Sequence, residues 1–229
     1  MTGPAIRPGG LTLTKRALAL CSLPEGARVL DVGCALGASV EIFCQERHLA
    51  AFGVDTSSLL LKEGIQKNPD LGLLQGAADQ LPFPDRCLSA VFCECVLSLL
   101  HDPISALKEF ARVLHPGGFL ILSDVYARMP DEAFSLKHVP VHCCLKGAVG
   151  RKQIIATVED SGFAALLWED HSVLLNQLAA QLIFSFGSLN AFWAASCNGE
   201  DPEPIKQTVQ RARPGYYLLI ARRREGDYG

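Results

Sequence analysis

Short apolar segments alternate with helical segments through the first half of the chain, and this alternation constrains the fold more than any other feature. Each apolar segment is a continuous run, as expected for a strand that is covered on both faces. The pattern therefore predicts an α/β fold with a mostly parallel sheet and helices on both faces. The predicted strands are 28–32, 50–55, 73–75, 88–93 and 119–123, and the predicted helices are 38–46, one capped by Ser57 or Ser58, and 103–114.

The remaining segments complete a single predicted domain, residues 1–229. Thr12 or Thr14 is predicted to cap a first helix that ends near Cys21. The predicted parts, in chain order, are an N-terminal lid and helix (1–22), a core (26–125), a connector (126–150), a helix (151–161), a strand (163–168), a helical insertion (172–213) and a last strand (216–222).

Charge and hydropathy argue against two classes of partner. The chain has 229 residues and a net charge of -3, whereas nucleic acids and anionic membranes are bound through clustered basic residues. No apolar stretch reaches the roughly 20 residues that span a bilayer; the richest, 173–195, is interrupted by polar residues. The N-terminus lacks the apolar middle of a secretory signal. We expect a cytoplasmic protein that binds neither nucleic acid nor membrane.

The cysteines do not have the spacing of a metal site or a disulfide framework. The chain has nine, an odd number, and none form a CxxC pair. We therefore expect free thiols in a reducing compartment and no bound metal.

Two features of the first half indicate a ligand site. A glycine turn, Gly33 to Gly37, follows the first predicted strand, so backbone N–H groups there can approach a ligand closely. Asp55 ends the second strand, where its carboxylate can accept both hydroxyls of a ribose. Ligands of doubly wound sheets bind at this carboxyl edge. Each signal alone is weak, since a glycine turn is often structural and a strand-end Asp is usually a helix cap.

Four ordered motifs resemble those of the class I S-adenosylmethionine-dependent methyltransferases. They are Leu30-Asp31-Val32-Gly33-Cys34, Gly53-Val54-Asp55, Leu81-Pro82-Phe83-Pro84-Asp85 and Ala111-Arg112-Val113-Leu114-His115-Pro116-Gly117-Gly118, of which the last is the most specific. The resemblance covers residues 26–125 closely. It implies a Rossmann-like sheet whose last strand, 216–222, runs antiparallel between its neighbours, and S-adenosylmethionine as the cofactor.

The resemblance also implies roles for particular residues. Asp31 would hold the methionine amino group, and Asp55 would bind the ribose hydroxyls. Gly33 and Gly37 would shape the loop under the cofactor, which also contains Cys34 and Ala35. Thr56 would lie beside the adenine, whose edge would be read at Ala77, Ala78 and Asp79. Cys93 and Glu94 would face the cofactor or the substrate.

The chain departs from the family pattern at two positions. Ala35 replaces the middle glycine of the loop, and an added methyl group there is tolerable if its φ is negative. Ala77 replaces the acidic residue that usually meets the adenine amino group, which makes adenine recognition less certain than ribose recognition. A dinucleotide-binding fold fits less well, because residues 33–38 do not match GxGxxG.

No catalytic constellation is evident, as expected for methyl transfer, which depends mainly on alignment and exclusion of water. His142, Cys143 and Cys144 are weak candidates, and their segment is faintly similar to one in arsenite methyltransferases. Packing is the more common role of such cysteines. His101 is a further weak candidate, although a turn before Pro103 is the favoured explanation.

Two segments could border the substrate pocket. Residues 7–11 either fold over the cofactor as a lid or form a disordered start. The apolar insertion, 172–195, either walls the pocket, forms a homodimer face or packs on the sheet. The sequence thus predicts a methyltransferase that acts on a small molecule. Two rival hypotheses are a non-catalytic binding protein of the same fold, favoured by Ala35 and Ala77, and a metalloid methyltransferase.

Overall fold

The computed structural model describes residues 7–132, 136, 143–196 and 203–225. Its strands are β1 (Arg28–Val32), β2 (Ala50–Asp55), β3 (Gly72–Gln75), β4 (Leu88–Glu94), β5 (Leu114–Ala127), β6 (Phe163–Asp170) and β7 (Pro214–Arg223). Its helices are α1 (Thr12–Cys21), α2 (Ala38–Arg47), α3 (Ser58–Lys67), α4 (Pro103–Val113), α5 (Arg151–Asp160), α6 (Ser172–Phe186), α7 (Leu189–Ser196) and α8 (Glu203–Ala212). Short 3-10 turns cover Leu97–Leu99, Pro130–Glu132 and Cys144–Gly147.

The strands form one seven-stranded sheet in the order β3-β2-β1-β4-β5-β7-β6. Neighbouring pairs from β3 to β5 are parallel, and β7 is antiparallel to both β5 and β6. The predicted α/β sheet with an antiparallel last strand and a helical insertion before it is confirmed. The strand order reverses between β1 and β4, which places a ligand crevice at the carboxyl ends of these strands.

The strand β5 is much longer than the predicted 119–123. It begins at Leu114, which pairs with Leu88, and the next pair is Phe119 with Ala90. Residues 115–118 therefore form an irregularity within the strand, where Gly117 has a φ of +77°. The sequence HPGG has the composition of a turn, and pairing with β4 keeps it in the sheet.

Alternate residues of the strands face two separate helical layers. In β7, Tyr216, Leu218 and Ile220 face the layer that contains α1 and α2. Tyr217, Leu219 and Ala221 face the layer that contains α4 and α5. This alternation buries both faces of the strand, as the continuous apolar run in the sequence indicates.

The start of α1 differs from the prediction. Leu11 precedes the helix, and no side chain caps its first turn. The hydroxyl of Thr12 donates to Gly9 O at 2.7 Å, and Thr14 Oγ1 is instead bound to a carboxylate in the protein interior. The predicted cap at α3 is correct for Ser57, whose hydroxyl accepts from Leu60 N at 3.3 Å.

Candidate functional site

A cavity of about 360 Å³ lies at the carboxyl ends of β1, β2 and β4. Most of the predicted cofactor residues line it. The lining residues are Arg7, Val32, Gly33, Cys34, Ala35, Ala38, Ser39, Val54, Asp55, Thr56, Gly76, Ala78, Glu94, Cys95, Val96, Leu99 and Leu100. The cavity thus combines backbone of the glycine turn, buried or half-buried carboxylates and an apolar wall.

The turn after β1 has left-handed backbone at three of its five residues. The φ angles are +77° at Gly33, +48° at Ala35 and +83° at Gly37. The Ala35 methyl group would be harmless only at a negative φ. The observed φ is positive, so this condition is not met. A left-handed alanine is disfavoured because its Cβ crowds the following carbonyl oxygen. The N–H groups of Gly33 and Cys34 donate to Val54 O at 2.7 and 3.2 Å, which ties the turn to β2.

Asp55 is oriented by two backbone amides. Its Oδ2 atom accepts from Ala35 N at 2.9 Å, and its Oδ1 atom accepts from Ser57 N at 2.8 Å. Each carboxylate oxygen has further acceptor capacity, and the residue lines the cavity. The same carboxylate thus holds the turn in place and presents acceptors to a ligand.

Asp31 is a buried carboxyl at the other end of the site. Its Oδ2 atom has no hydrogen-bond partner among the described residues. Burial raises its pKa to about 7, although the charge of Arg7 acts in the opposite direction. Unpartnered buried polar atoms are rare in folded proteins. This atom therefore marks a position where a ligand donor or cation would be stabilised.

Arg7 and Glu94 form a buried ion pair beside Asp31. Arg7 Nη2 lies 2.9 Å from Glu94 Oε2, and 11% of the arginine side chain and none of the glutamate side chain is exposed. Arg7 also donates to Thr14 Oγ1 at 2.6 Å and to Ser39 Oγ at 2.9 Å. Burial disfavours the cation, but Glu94 and Asp31 hold the pKa of Arg7 above its ordinary value. Of the two alternatives for residues 7–11, folding over the site is the one that agrees with these contacts.

Comparison with known proteins shows what the region around this cavity is similar to. Residues 30–122 match the family model described as a methyltransferase domain. The matched residues contain the turn after β1, Asp55 and Glu94, which line the cavity. The cavity therefore lies in the part of the chain that is similar to a methyltransferase domain.

Two curated relatives match this domain over part of their length. The demethylmenaquinone methyltransferase of Renibacterium salmoninarum is 36% identical over 99 residues, 43% of this chain and 41% of the relative. The 2-methyl-6-phytyl-1,4-hydroquinone methyltransferase of Synechocystis is 32% identical over 108 residues, 46% of this chain and 34% of the relative. The matches thus span well under half of the length of these relatives.

Solved structures share the fold across nearly the whole chain. The [4+2]-cyclase SpnF superimposes with a TM-score of 0.77 and 22% identity, covering 99% of this chain and 86% of SpnF. Phosphoethanolamine N-methyltransferase 2 of Haemonchus contortus, in complex with S-adenosyl-L-methionine, has a TM-score of 0.72 and 18% identity, covering 96% of this chain and 54% of that chain. At these identities the superpositions show a shared fold.

Several of the predicted cofactor residues do not line the cavity. Asp31 is buried and is absent from the lining, and Gly37 is the N-cap residue that precedes α2. Cys93 is fully buried in the sheet, and burial raises the pKa of its thiol well above the ordinary value. Next to the lining residue Ala78, Ala77 pairs with Gln80 in a bridge and Asp79 is exposed.

Of the weak catalytic candidates, the three that the structure describes, Cys143, Cys144 and His101, are not among the residues that line the cavity. His142 lies outside the described residues. Cys143 and Cys144 are half-buried, and burial raises the pKa of Cys143 and raises that of Cys144 to about 12. His101 is exposed in the turn before α4, where Asp102 caps the helix by accepting from Ser105 N at 3.0 Å. Within the described ranges, no group of three metal-binding side chains is found. The similarity to arsenite methyltransferases stays a hypothesis.

Sequence reasoning missed the polar groups that distant elements bring to the candidate site. Cys95 follows β4 with a φ of +58°, and its Sγ atom lies 3.0 Å from Tyr216 Oη. The hydroxyl of Ser123 donates to Glu94 Oε1 at 3.2 Å. Thr14 donates to Glu94 Oε2 at 2.9 Å. No local pattern marks these residues, because each contact joins elements that are far apart in the chain.

Proposed function

We propose that the protein transfers a methyl group from S-adenosylmethionine to a small molecule. One observation carries this proposal: a single cavity is lined by Asp55, by the glycine turn and by Arg7, which interacts electrostatically with the buried Asp31. An adenosyl ligand with an amino-acid tail has hydroxyls, an ammonium group and a carboxylate to match these groups.

The residues present fit such a ligand group by group. Asp55 would accept the two ribose hydroxyls, because amides fix its carboxylate and leave acceptor capacity toward the cavity. Asp31 would hold the ammonium group, because its Oδ2 atom has no hydrogen-bond partner among the described residues. Arg7 would attract the carboxylate through its Nη1 donors, since its Nε and Nη2 atoms are bound to protein acceptors. The apolar side chains of Val54 and Ala78 would border the adenine.

The catalytic demand on the chain is modest. When bound, S-adenosylmethionine supplies an electrophilic methyl group, so the protein has to align the acceptor and exclude water. Val96, Leu99 and Leu100 provide an apolar wall for this purpose. Glu94 is bound by Arg7, Thr14 and Ser123, so we assign it to holding the site rather than to accepting a proton.

The preference for a small-molecule acceptor rests on charge and on the relatives. A net charge of -3 provides little attraction for nucleic acid. The relatives named above are described as acting on menaquinone precursors and a phytyl hydroquinone, both small molecules. These names support a small acceptor for this chain and leave its identity open.

Calorimetry with the product, S-adenosylhomocysteine, tests the proposal. Asp55→Ala is expected to weaken binding about 30-fold, which corresponds to ~2 kcal/mol for a charged hydrogen-bond partner. Asp70→Ala is the matched control, because this carboxylate is exposed and does not line the cavity. Absence of binding of both S-adenosylmethionine and S-adenosylhomocysteine at millimolar concentration would contradict the proposal.

A second candidate is a cofactor-binding protein of this fold that does not transfer methyl groups. The strained backbone of Ala35, at a φ of +48°, favours it because it distorts the turn next to Asp55. SpnF, described as a cyclase, has the same fold. The two candidates differ in turnover. Formation of S-adenosylhomocysteine with any acceptor in a small-molecule panel excludes the second candidate.

A further inference from the structure

The helices α6 and α7 form a segment without charged side chains. From Ser172 to Gly199 the sequence contains no Asp, Glu, Lys or Arg. The two helices meet at Gly187, which has a φ of +81°, and their axes are bent by 78°. No described helix is by itself long and apolar enough to cross a membrane, although the bent pair together reaches that length and hydropathy. We call residues 172–195 the uncharged helix pair.

This pair exposes large apolar side chains. In α6 the buried residues are Ser172 and Leu174, both in the first turn. Beyond that turn Phe184 is 93% exposed, and Ile183 and Phe186 are also exposed. Side chains of this kind are normally buried in a core, an interface or lipid. Three of them exposed between residues 183 and 186 indicate an interaction site.

We propose that the uncharged helix pair docks on the surface of an electrically neutral lipid bilayer. Protein interfaces combine an apolar centre with a polar rim that fixes orientation. Here even the edges lack charge, and the polar side chains that interrupt the pair are neutral, so no ion pair would fix the register of a second copy. The nearest charged residues along the chain, Asp170, Glu200 and Asp201, are acidic and would be repelled by anionic lipids. A zwitterionic lipid surface fits both the absence of charge in the pair and the acidic residues that flank it along the chain.

This proposal departs from the expectation that the chain binds no membrane. That expectation was based on the missing basic patch, which argues only against attraction to anionic lipids. Burial of apolar side chains drives binding to a neutral surface. The absence of charge therefore favours one kind of bilayer while it disfavours the other.

The first turn of α6 lies close to a residue near the cavity. Gly9 packs so closely on α6 that a Cβ atom there would lie 2.7 Å from Leu174 Cδ1. Gly9 is two residues from Arg7, which lines the cavity. An apolar acceptor dissolved in the bilayer would therefore meet the protein roughly 15 Å from this contact, which is the rise along α6 from Leu174 to Phe184. This consequence rests on the proposed function, whereas docking itself does not.

Flotation of the full-length protein with phosphatidylcholine vesicles tests the docking. We expect binding that changes less than about twofold between low and high salt, because no charge is involved. The double variant Ile183→Ser/Phe184→Ser should weaken partitioning at least about tenfold, since it removes two large apolar side chains. Leu59→Ser is the matched control, because this leucine of α3 is 74% exposed and lies outside the pair. Unchanged thermal unfolding of both variants shows that they are folded.

Tryptophan quenching by brominated phosphatidylcholine locates the contact. Trp193 lies in α7 and packs on Phe192 with ring centroids 5.0 Å apart. Trp168 lies in β6, stacked on Tyr217. The Trp168→Phe variant keeps Trp193 in the uncharged helix pair, so its fluorescence is expected to be quenched. The Trp193→Phe variant keeps only Trp168, so quenching is expected to be lost.

Three results would overturn the proposal. One is the absence of flotation with phosphatidylcholine, and another is binding that requires anionic lipid and disappears in salt. The third is a dimer in solution that the double variant converts to a monomer, because the uncharged helix pair would then belong to a second copy. Since no step uses the cofactor, loss of S-adenosylhomocysteine binding alone would contradict the proposed function and leave docking unaffected.

Discussion

The pH dependence of S-adenosylhomocysteine binding gives a direct test of the site through Asp31. Burial raises the pKa of this carboxyl from 3.8 to about 7. The groups that face it are Arg7, Glu94, Asp55 and the hydroxyl of Ser39. In the proposed complex the ammonium group of the ligand pairs with the ionised carboxylate, so protonation of Asp31 is expected to compete with binding. The affinity should therefore be highest above the pKa and fall as the pH is lowered through it.

The size of the effect follows from the pKa. At about one pH unit below it, roughly one carboxyl in ten is ionised, so the dissociation constant rises about tenfold per unit. From about pH 8 to about pH 5 the total change is about a hundredfold, or ~2.7 kcal/mol. Binding below the pKa should also release about one proton.

Isothermal titration calorimetry measures both quantities. The dissociation constant is determined at constant ionic strength over the pH range, and proton release is obtained from the dependence of the heat on the buffer. Asp31→Asn should bind more weakly at high pH and lose the pH dependence. A dissociation constant that stays within twofold over the range would refute the reasoning. So would an Asp31→Asn variant with the same slope, because another group would then titrate.

Further predictions concern stability. In the unliganded protein the raised pKa of Asp31 means that the native state binds more protons than the unfolded state between about pH 4 and pH 7, so stability falls as the pH rises through this window. Asp31→Asn should raise the free energy of unfolding at about pH 8 by ~2 kcal/mol in chemical denaturation. A lower stability of this variant would contradict the prediction. Ala35→Gly should raise the free energy of unfolding by up to ~1 kcal/mol, and with it the melting temperature, because glycine relieves the strain of the left-handed backbone. Gly33→Ala should lower the free energy of unfolding by more than ~2 kcal/mol in chemical denaturation. The φ of residue 33 is +77°, and the added Cβ atom would collide with Val96. Arg7→Met should lower the free energy of unfolding by ~3 kcal/mol, because it leaves Glu94 buried without its ion-pair partner. The double variant Arg7→Met/Glu94→Gln should recover part of this loss. Equal stability of the two variants would contradict the expected coupling.

Local patterns predicted the elements that depend on neighbouring residues. The ranges of β1 and β2 coincide with the predicted 28–32 and 50–55, because each is an apolar run closed by a turn. Ser57 was one of two predicted caps for α3 and is the observed cap. Residues 115–118 were excluded from β5 because glycine and proline usually mark turns. Pairing with β4, which no local pattern encodes, retains them in the strand.

The sequence by itself determined the α/β class, the glycine turn after the first strand and the acidic end of the second, since these depend on residue type and short spacing. Only the tertiary structure decided which side chains complete the cavity. Thr14 meets Glu94 across 80 residues, and Cys95 meets Tyr216 across 121. It also decided that Ala35 is left-handed and that the uncharged helix pair stays exposed. The physical reason is that burial, pKa shifts and hydrogen-bond partners arise from packing between distant segments, which leaves no periodic signal along the chain.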